Sequence, residues 1–170
     1  MASKTRLRDF QAYLAERLTS AAQGARAASW LGLEVGESRW LVDLSDSGEI
    51  IQAPEVTSVP LTRPWFAGVA NIRGNLYAVT DFSRFCGGVP TPVSPQTRLL
   101  LIGVRHGSNA ALLVSRMLGL KNPAEFEVLP QEADAPAWQA AVLQDGQGTR
   151  WKKLAVRELL ADPEFMNIEG

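Results

Sequence analysis

Between residues 4 and 23 the apolar side chains Leu7, Phe10, Leu14, Leu18 and Ala21 recur at steps of three and four, while Arg6, Arg8, Asp9, Glu16 and Arg17 fall on other faces. That period predicts an amphipathic helix, started by Ser3 or Thr5 as a cap and ended at Gly24. Its stripe is expected to pack on the domain that follows, with docking onto a partner as the sharper alternative. The small residues from Gly24 to Ser29 read as a linker, so residues 1–29 form a helix and linker ahead of one domain over residues 30–165.

From Trp30 the period changes to two. Trp30–Val35, then Gly36-Glu37, then Ser38–Leu44 reads as strand, turn, strand, with Trp40, Val42 and Leu44 on one face. Ser45-Asp46-Ser47-Gly48 is turn chemistry, and Glu49–Ala53 is a further short strand. Pro54, Pro60 and Pro64 lack amide donors, so Val56–Leu61 is expected to be an edge strand or an extended connector. Phe66–Ile72 and Leu76–Phe82 are two strands joined at Arg73-Gly74-Asn75; Gly74-Asn75 is expected as the central pair of a primed turn, with Arg73 at the hairpin tip. Ser83–Gln96, with two glycines and three prolines, reads as a surface loop. Thr97–Val104 and Ala110–Val114 flank another turn, and their unbroken apolarity predicts strands covered on both faces. Glu125–Leu129, Trp138–Leu143 and Trp151–Val156 are the later strand candidates, and Arg157–Leu160, closed by Asp162-Pro163, is a helical turn. Many short strands with frequent turns point to small, nearly closed barrels.

Composition narrows the function classes. The chain has 170 residues, 46% of them hydrophobic, enough for a domain that buries roughly 70% of its unfolded surface. Lys+Arg 17 against Asp+Glu 18 leaves a formal charge of -1, which argues against a dedicated nucleic-acid binder. A single cysteine, Cys86, excludes an intrachain disulfide and a thiolate metal cage and fits a reducing compartment. The longest apolar run, Leu99–Ile102, is far too short to span a bilayer, and the N-terminal pattern lacks the apolar stretch of a secretory signal. The expected location is the cytoplasm, without direct membrane insertion.

Candidate chemistry is sparse. The one histidine, His106, falls in a turn beside Gly107, and Cys86 reads as a small half-buried apolar group, so neither anchors a mechanism. Phosphate-cradling loops are missing, and no cofactor or metal is expected. Phe82, Arg84 and Phe85 could stack a nucleobase, which keeps a small oligonucleotide-binding barrel as the alternative function. Arg73 and Glu49 have no catalytic companions, yet a charged pair among Ile50, Ala70 and Ile72 would give a protein partner its register.

At Gly68-Val69-Ala70-Asn71-Ile72-Arg73-Gly74, followed by Leu76–Phe82 and Phe85, the chain resembles the CheW family, whose members read Gly-Val-Ile-Asn-Leu-Arg-Gly and then an apolar strand ending in Asp. Trp40–Leu44 with Glu49, Val59-Pro60 and Thr97-Arg98 agree as well. The resemblance implies an all-β fold of two small five-stranded SH3-like β-barrels sharing a core, with the N-terminal helix added. It also implies a non-enzymatic adaptor that couples the cytoplasmic tip of a methyl-accepting chemoreceptor to the regulatory domain of a CheA-type histidine kinase, at membrane-associated receptor arrays. By motif position, Glu49 and Arg73 are the charged pair of receptor binding, and Gly68 and Gly74 support the hairpin. Asn71, Ile50, Val69 and Ile72 are the expected neighbours on that partner-binding surface. Ser47 and Ser115 depart from the family's usual Val and Asp, and Trp151–Arg157 departs from its apolar strand ending in Asp. The run Pro64–Asn75 and the extra helix resemble the PilI-type branch, which serves type IV pilus twitching motility.

Overall fold

The computed structural model describes residues 11–13, 29–102 and 107–170. Gln11, Ala12 and Tyr13 are helical and exposed; the remainder of the helix expected over 4–23, the linker up to residue 28 and His106 lie outside the described residues. In chain order the strands are β1 Trp30–Val35, β2 Ser38–Asp43, β3 Ser47–Gln52, β4 Phe66–Ile72, β5 Asn75–Asp81, β6 Arg98–Ile102, β7 Ala110–Val114, β8 Arg116–Lys121, β9 Glu127–Leu129, β10 Gln139–Gln144 and β11 Arg150–Leu154. They form a six-stranded sheet, β8-β1-β2-β11-β10-β9, and a five-stranded sheet, β3-β6-β7-β5-β4. Each sheet contains one parallel pair, β11 with β2 and β5 with β7, among antiparallel neighbours.

Side-chain alternation explains how two sheets share a core. Along β6 and β7, Leu100, Ile102, Ala110, Leu112 and Val114 pack against Leu31, Leu33, Val35, Trp40 and Val42 of the other sheet. The intervening Leu99, Leu101, Ala111 and Leu113 point the opposite way, into a second cluster with Ala70, Ile72 and Val79. Both faces of β6 and β7 are therefore apolar because both are covered. A third cluster of Leu41, Leu143 and Trp151 fills the six-stranded sheet from its far side.

Several elements differ from the sequence reading. The segment after β5 is not loop throughout: Phe82–Phe85 is a helical turn capped by the Asp81 carboxylate. Asp81, 6% exposed, also accepts from Thr91 N at 2.8 Å and Thr91 Oγ1 at 2.6 Å, tying the proline-rich loop to the barrel. Asp81→Ala would strip Thr91 of both acceptors, and a loss of about 2 kcal/mol in urea unfolding is expected. Strand β8 escaped notice because Gly119 and a register shift beside Gly32 break its period. The candidate Glu125–Leu129 shortens to β9, preceded by a 3-10 turn at Pro123–Glu125, and β9 is the sixth strand of its sheet. Despite its atypical wording, Arg150–Leu154 pairs with both β10 and β2 in the sheet interior.

The nucleobase-stacking alternative fails on burial. Phe82 is 0% exposed and stacks edge-on with Trp40 at 5.0 Å, while Phe85 meets Trp138 at 5.4 Å and Trp65 at 5.1 Å. These rings are occupied by one another within and beside the shared core and leave no face for a base.

Candidate binding surface at the hairpin tip

The β4–β5 hairpin places its two turn residues differently from the sequence expectation. Ile72 pairs with Asn75, so Arg73-Gly74 rather than Gly74-Asn75 is the central pair. Both take positive φ, 54° at Arg73 and 85° at Gly74, the geometry of a type I′ turn whose twist matches its strands. Asn71 stabilises it by accepting a hydrogen bond from Gly74 N at 2.9 Å.

Glu49 lies on β3 and Arg73 on the turn beside β4, the two opposite edges of the five-stranded sheet. Their side chains nevertheless form an ion pair, Arg73 Nη2 donating to Glu49 Oε1. Only a sheet rolled until its edges approach allows this contact, so the pair spans the seam of the barrel. Further along the same seam, Thr57 of the proline-rich connector exchanges two backbone hydrogen bonds with Val69, at 2.8 and 2.9 Å. The side chains of Arg73 and Glu49 are 69% and 40% exposed. Such a pair is screened and contributes little to stability, yet it presents two fixed opposite charges at the surface. The hydrogen bond from Arg73 and the charge of Glu49 raise the guanidinium pKa above its ordinary value, so the cation is permanent.

The other residues expected here separate into two layers. Asn71 and Gly74 are exposed and Val69 is half-buried on the outer side. Ile72, 8% exposed, belongs to the second core cluster, and half-buried Ile50 packs against the shared core, so each anchors the strand beside one member of the pair. Sequence reasoning passed over Leu76, which is 62% exposed and pairs with Asn71 across the hairpin. An apolar residue opening an apolar strand reads as core, and the only warning is its place beside a turn.

Among the described residues, no group of His, Cys, Asp and Glu could hold a metal ion, and no helix is long and apolar enough to cross a membrane. Cys86 is exposed rather than half-buried, but its thiol sits against protein at a cavity wall; burial pushes it up to about 12, with Lys152 pulling weakly downward. Alkylation by iodoacetamide is therefore expected to be slow at pH 7–8 and to keep accelerating towards pH 12 (roughly tenfold per pH unit). A rate that levels off near pH 8–9, where an ordinary thiol ionises, would contradict that protonation state.

In comparison with known proteins, residues 29–164 match the CheW-like domain. The chain is 29% identical over 130 residues to protein PilI of Pseudomonas aeruginosa, a match that covers 76% of this chain and 70% of that protein. It is also 29% identical over 110 residues to protein FrzA of Myxococcus xanthus, covering 65% and 68% of the two chains. The crystal structure of the scaffolding protein TtCheW from Thermoanaerobacter tengcongensis has a similar fold, with a TM-score of 0.68 at 16% identity over 83% of this chain and 97% of that one.

Proposed function

This chain belongs to the CheW-like domain family, and from that premise we propose that it is a non-enzymatic adaptor coupling chemoreceptors to a CheA-type histidine kinase, in the branch that controls type IV pilus twitching motility. It binds the cytoplasmic tip of a receptor on the Glu49–Arg73 surface and the regulatory domain of the kinase elsewhere, and works in the cytoplasm at receptor arrays. The similarity to PilI and FrzA supports the branch.

The observation that carries the reading is the ion pair across the barrel seam. A surface charge pair fixed by a primed turn on one side and a strand on the other is rigid before any partner arrives, which lowers the entropic cost of recognition. Arg73 supplies the exposed cation, Glu49 orients it, and Asn71 and Gly74 fix the turn beneath it. Val69 and Leu76 offer apolar contact beside the charges, so the partner is read by both shape and sign. The chain's contribution to signalling is geometric: it holds receptor and kinase together and performs no bond chemistry.

Pairwise binding tests this reading. Calorimetry is expected to show the purified chain binding both a receptor cytoplasmic fragment and a kinase regulatory domain, each without displacing the other. Failure to bind either, under conditions where both fragments are folded, would contradict it.

A further inference from the structure

Away from the hairpin, a cavity of about 280 Å³ opens between the β1–β2 turn and the segment that follows the helical turn Phe82–Phe85. Gly36, Trp40, Ser83, Cys86, Gly88 and Lys152 contribute to its walls, together with the exposed Glu37. Ser83 is 3% exposed, and among the described residues its hydroxyl has no hydrogen-bond partner.

The space around that hydroxyl is kept clear by two glycines. A Cβ at Gly36 or at Gly88 would come within 2.8 Å of Ser83 Oγ. Gly88 does not lie in the left-handed region, so close approach rather than backbone strain accounts for its lack of a side chain.

The cation among the described residues lining this cavity is Lys152, and the Ser38 and Ser83 hydroxyls can donate beside it. Lys152 Nζ stands over the Trp40 ring, 5.6 Å from its centroid, and has no carboxylate partner among the described residues. Its neighbour Lys153, on the opposite side of β11, is paired with Asp43 at 3.0 Å. Trp40 is 1% exposed, and its Nε1, without a partner among the described residues, is closed to solvent, so its ring serves as wall and not as a donor. The Cys86 thiol stays protonated at neutral pH and is a further weak donor. An unpaired ammonium and a hydroxyl without an acceptor in the walls of one cavity call for an acceptor carrying negative charge. The exposed Glu37 carboxylate is solvent-screened and is the one acidic side chain among the described residues lining the space. A volume of 280 Å³ sits at the lower end of ligand pockets and suits a compact molecule.

We propose that this cavity binds a small free carboxylate, with Lys152 as its ion-pair partner and the Ser83 hydroxyl as its hydrogen-bond donor. Trp40 belongs to the core shared by both sheets, so occupancy is felt at the junction between them. The proposal is independent of the receptor and kinase reading.

Titration of the ¹⁵N-labelled full chain with succinate tests it, with sodium chloride at matched ionic strength as the control. The five tryptophans give separate indole signals, and that of Trp40 is identified by its contacts with the Phe82 and Trp138 rings. The expected result is a saturable, millimolar-range shift of the Trp40 indole signal with succinate and none with chloride. K152Q should weaken it about tenfold or more, and G88A, whose Cβ fills the space, should abolish it. S83A keeps the space and should weaken binding several-fold, which gives a readout if G88A does not fold. No saturable shift, or an equal shift in K152Q, would overturn the proposal. Saturation by a blocked acidic peptide but not by succinate would overturn it too, because the carboxylate would then belong to a partner chain.

Discussion

Arg73→Glu is expected to weaken co-sedimentation with the receptor tip about a hundredfold while moving the thermal midpoint by less than about 2 °C. The substitution places a second carboxylate beside Glu49 at the seam, so the surface loses the Arg73 cation and gains repulsion. The fold should hardly register the change, because the pair is exposed and the hairpin is fixed by six strand pairings and by the Asn71 contact to Gly74 N. Arg73→Gly separates charge from shape: it removes the guanidinium, suits the positive φ of 54°, and should lose binding without losing stability. Restoration of binding when Glu49 and Arg73 exchange identities would show that the pair acts as a unit. Unchanged co-sedimentation of the Arg73→Glu protein would remove Arg73 from the surface.

The largest loss of stability is expected at a residue with no side chain. Gly68 has φ 139°, and a Cβ there would lie 2.0 Å from the Thr57 carbonyl oxygen. That oxygen accepts from Val69 N, and Thr57 N donates to Val69 O, so the connector presses on β4 where Gly68 permits it. Gly68→Ala must break this bridge or displace the strand, and a cost of about 4 kcal/mol or more in urea unfolding is expected, enough to make the protein poorly soluble. Gly74→Ala is the control: nothing lies within 4 Å of its Cβ, so only positive-φ strain applies, at about 1 kcal/mol. Equal stability of the two variants would mean that the connector does not close the seam.

What the sequence made legible followed from local rules. Apolar runs bounded by turn residues located β1, β2, β4, β5, β6 and β7 to within about two residues, and the unbroken apolarity of Leu99–Ile102 correctly announced burial on two faces. The helical turn read over Arg157–Leu160 also stands, as Val156–Leu160, whereas the second turn Pro163–Met166, capped by the Asp162 carboxylate, was not expected. What escaped depended on partners distant in the chain. Strand β8 is held by β1 across a bulge, and the Asp81 anchor is defined only by Thr91 closing over it. At the candidate site, Arg73 and Glu49 were legible as a charged pair through the motif alone, since 24 positions and the whole width of a sheet separate them and no local pattern marks their contact. The cavity at Ser83 draws its walls from three separate stretches of chain, and no local pattern marks it.

The central claim is that one rigid chain holds two different proteins at once, and reconstitution measures this directly. Receptor cytoplasmic tips tethered to vesicles are mixed with the kinase, with or without this chain, and the kinase in the pellet is quantified. The kinase is expected to sediment when the chain is added, to rise with the chain until receptor sites are filled, and to stay in the supernatant with the Arg73→Glu protein. Kinase recovery that is the same with and without the chain would contradict it.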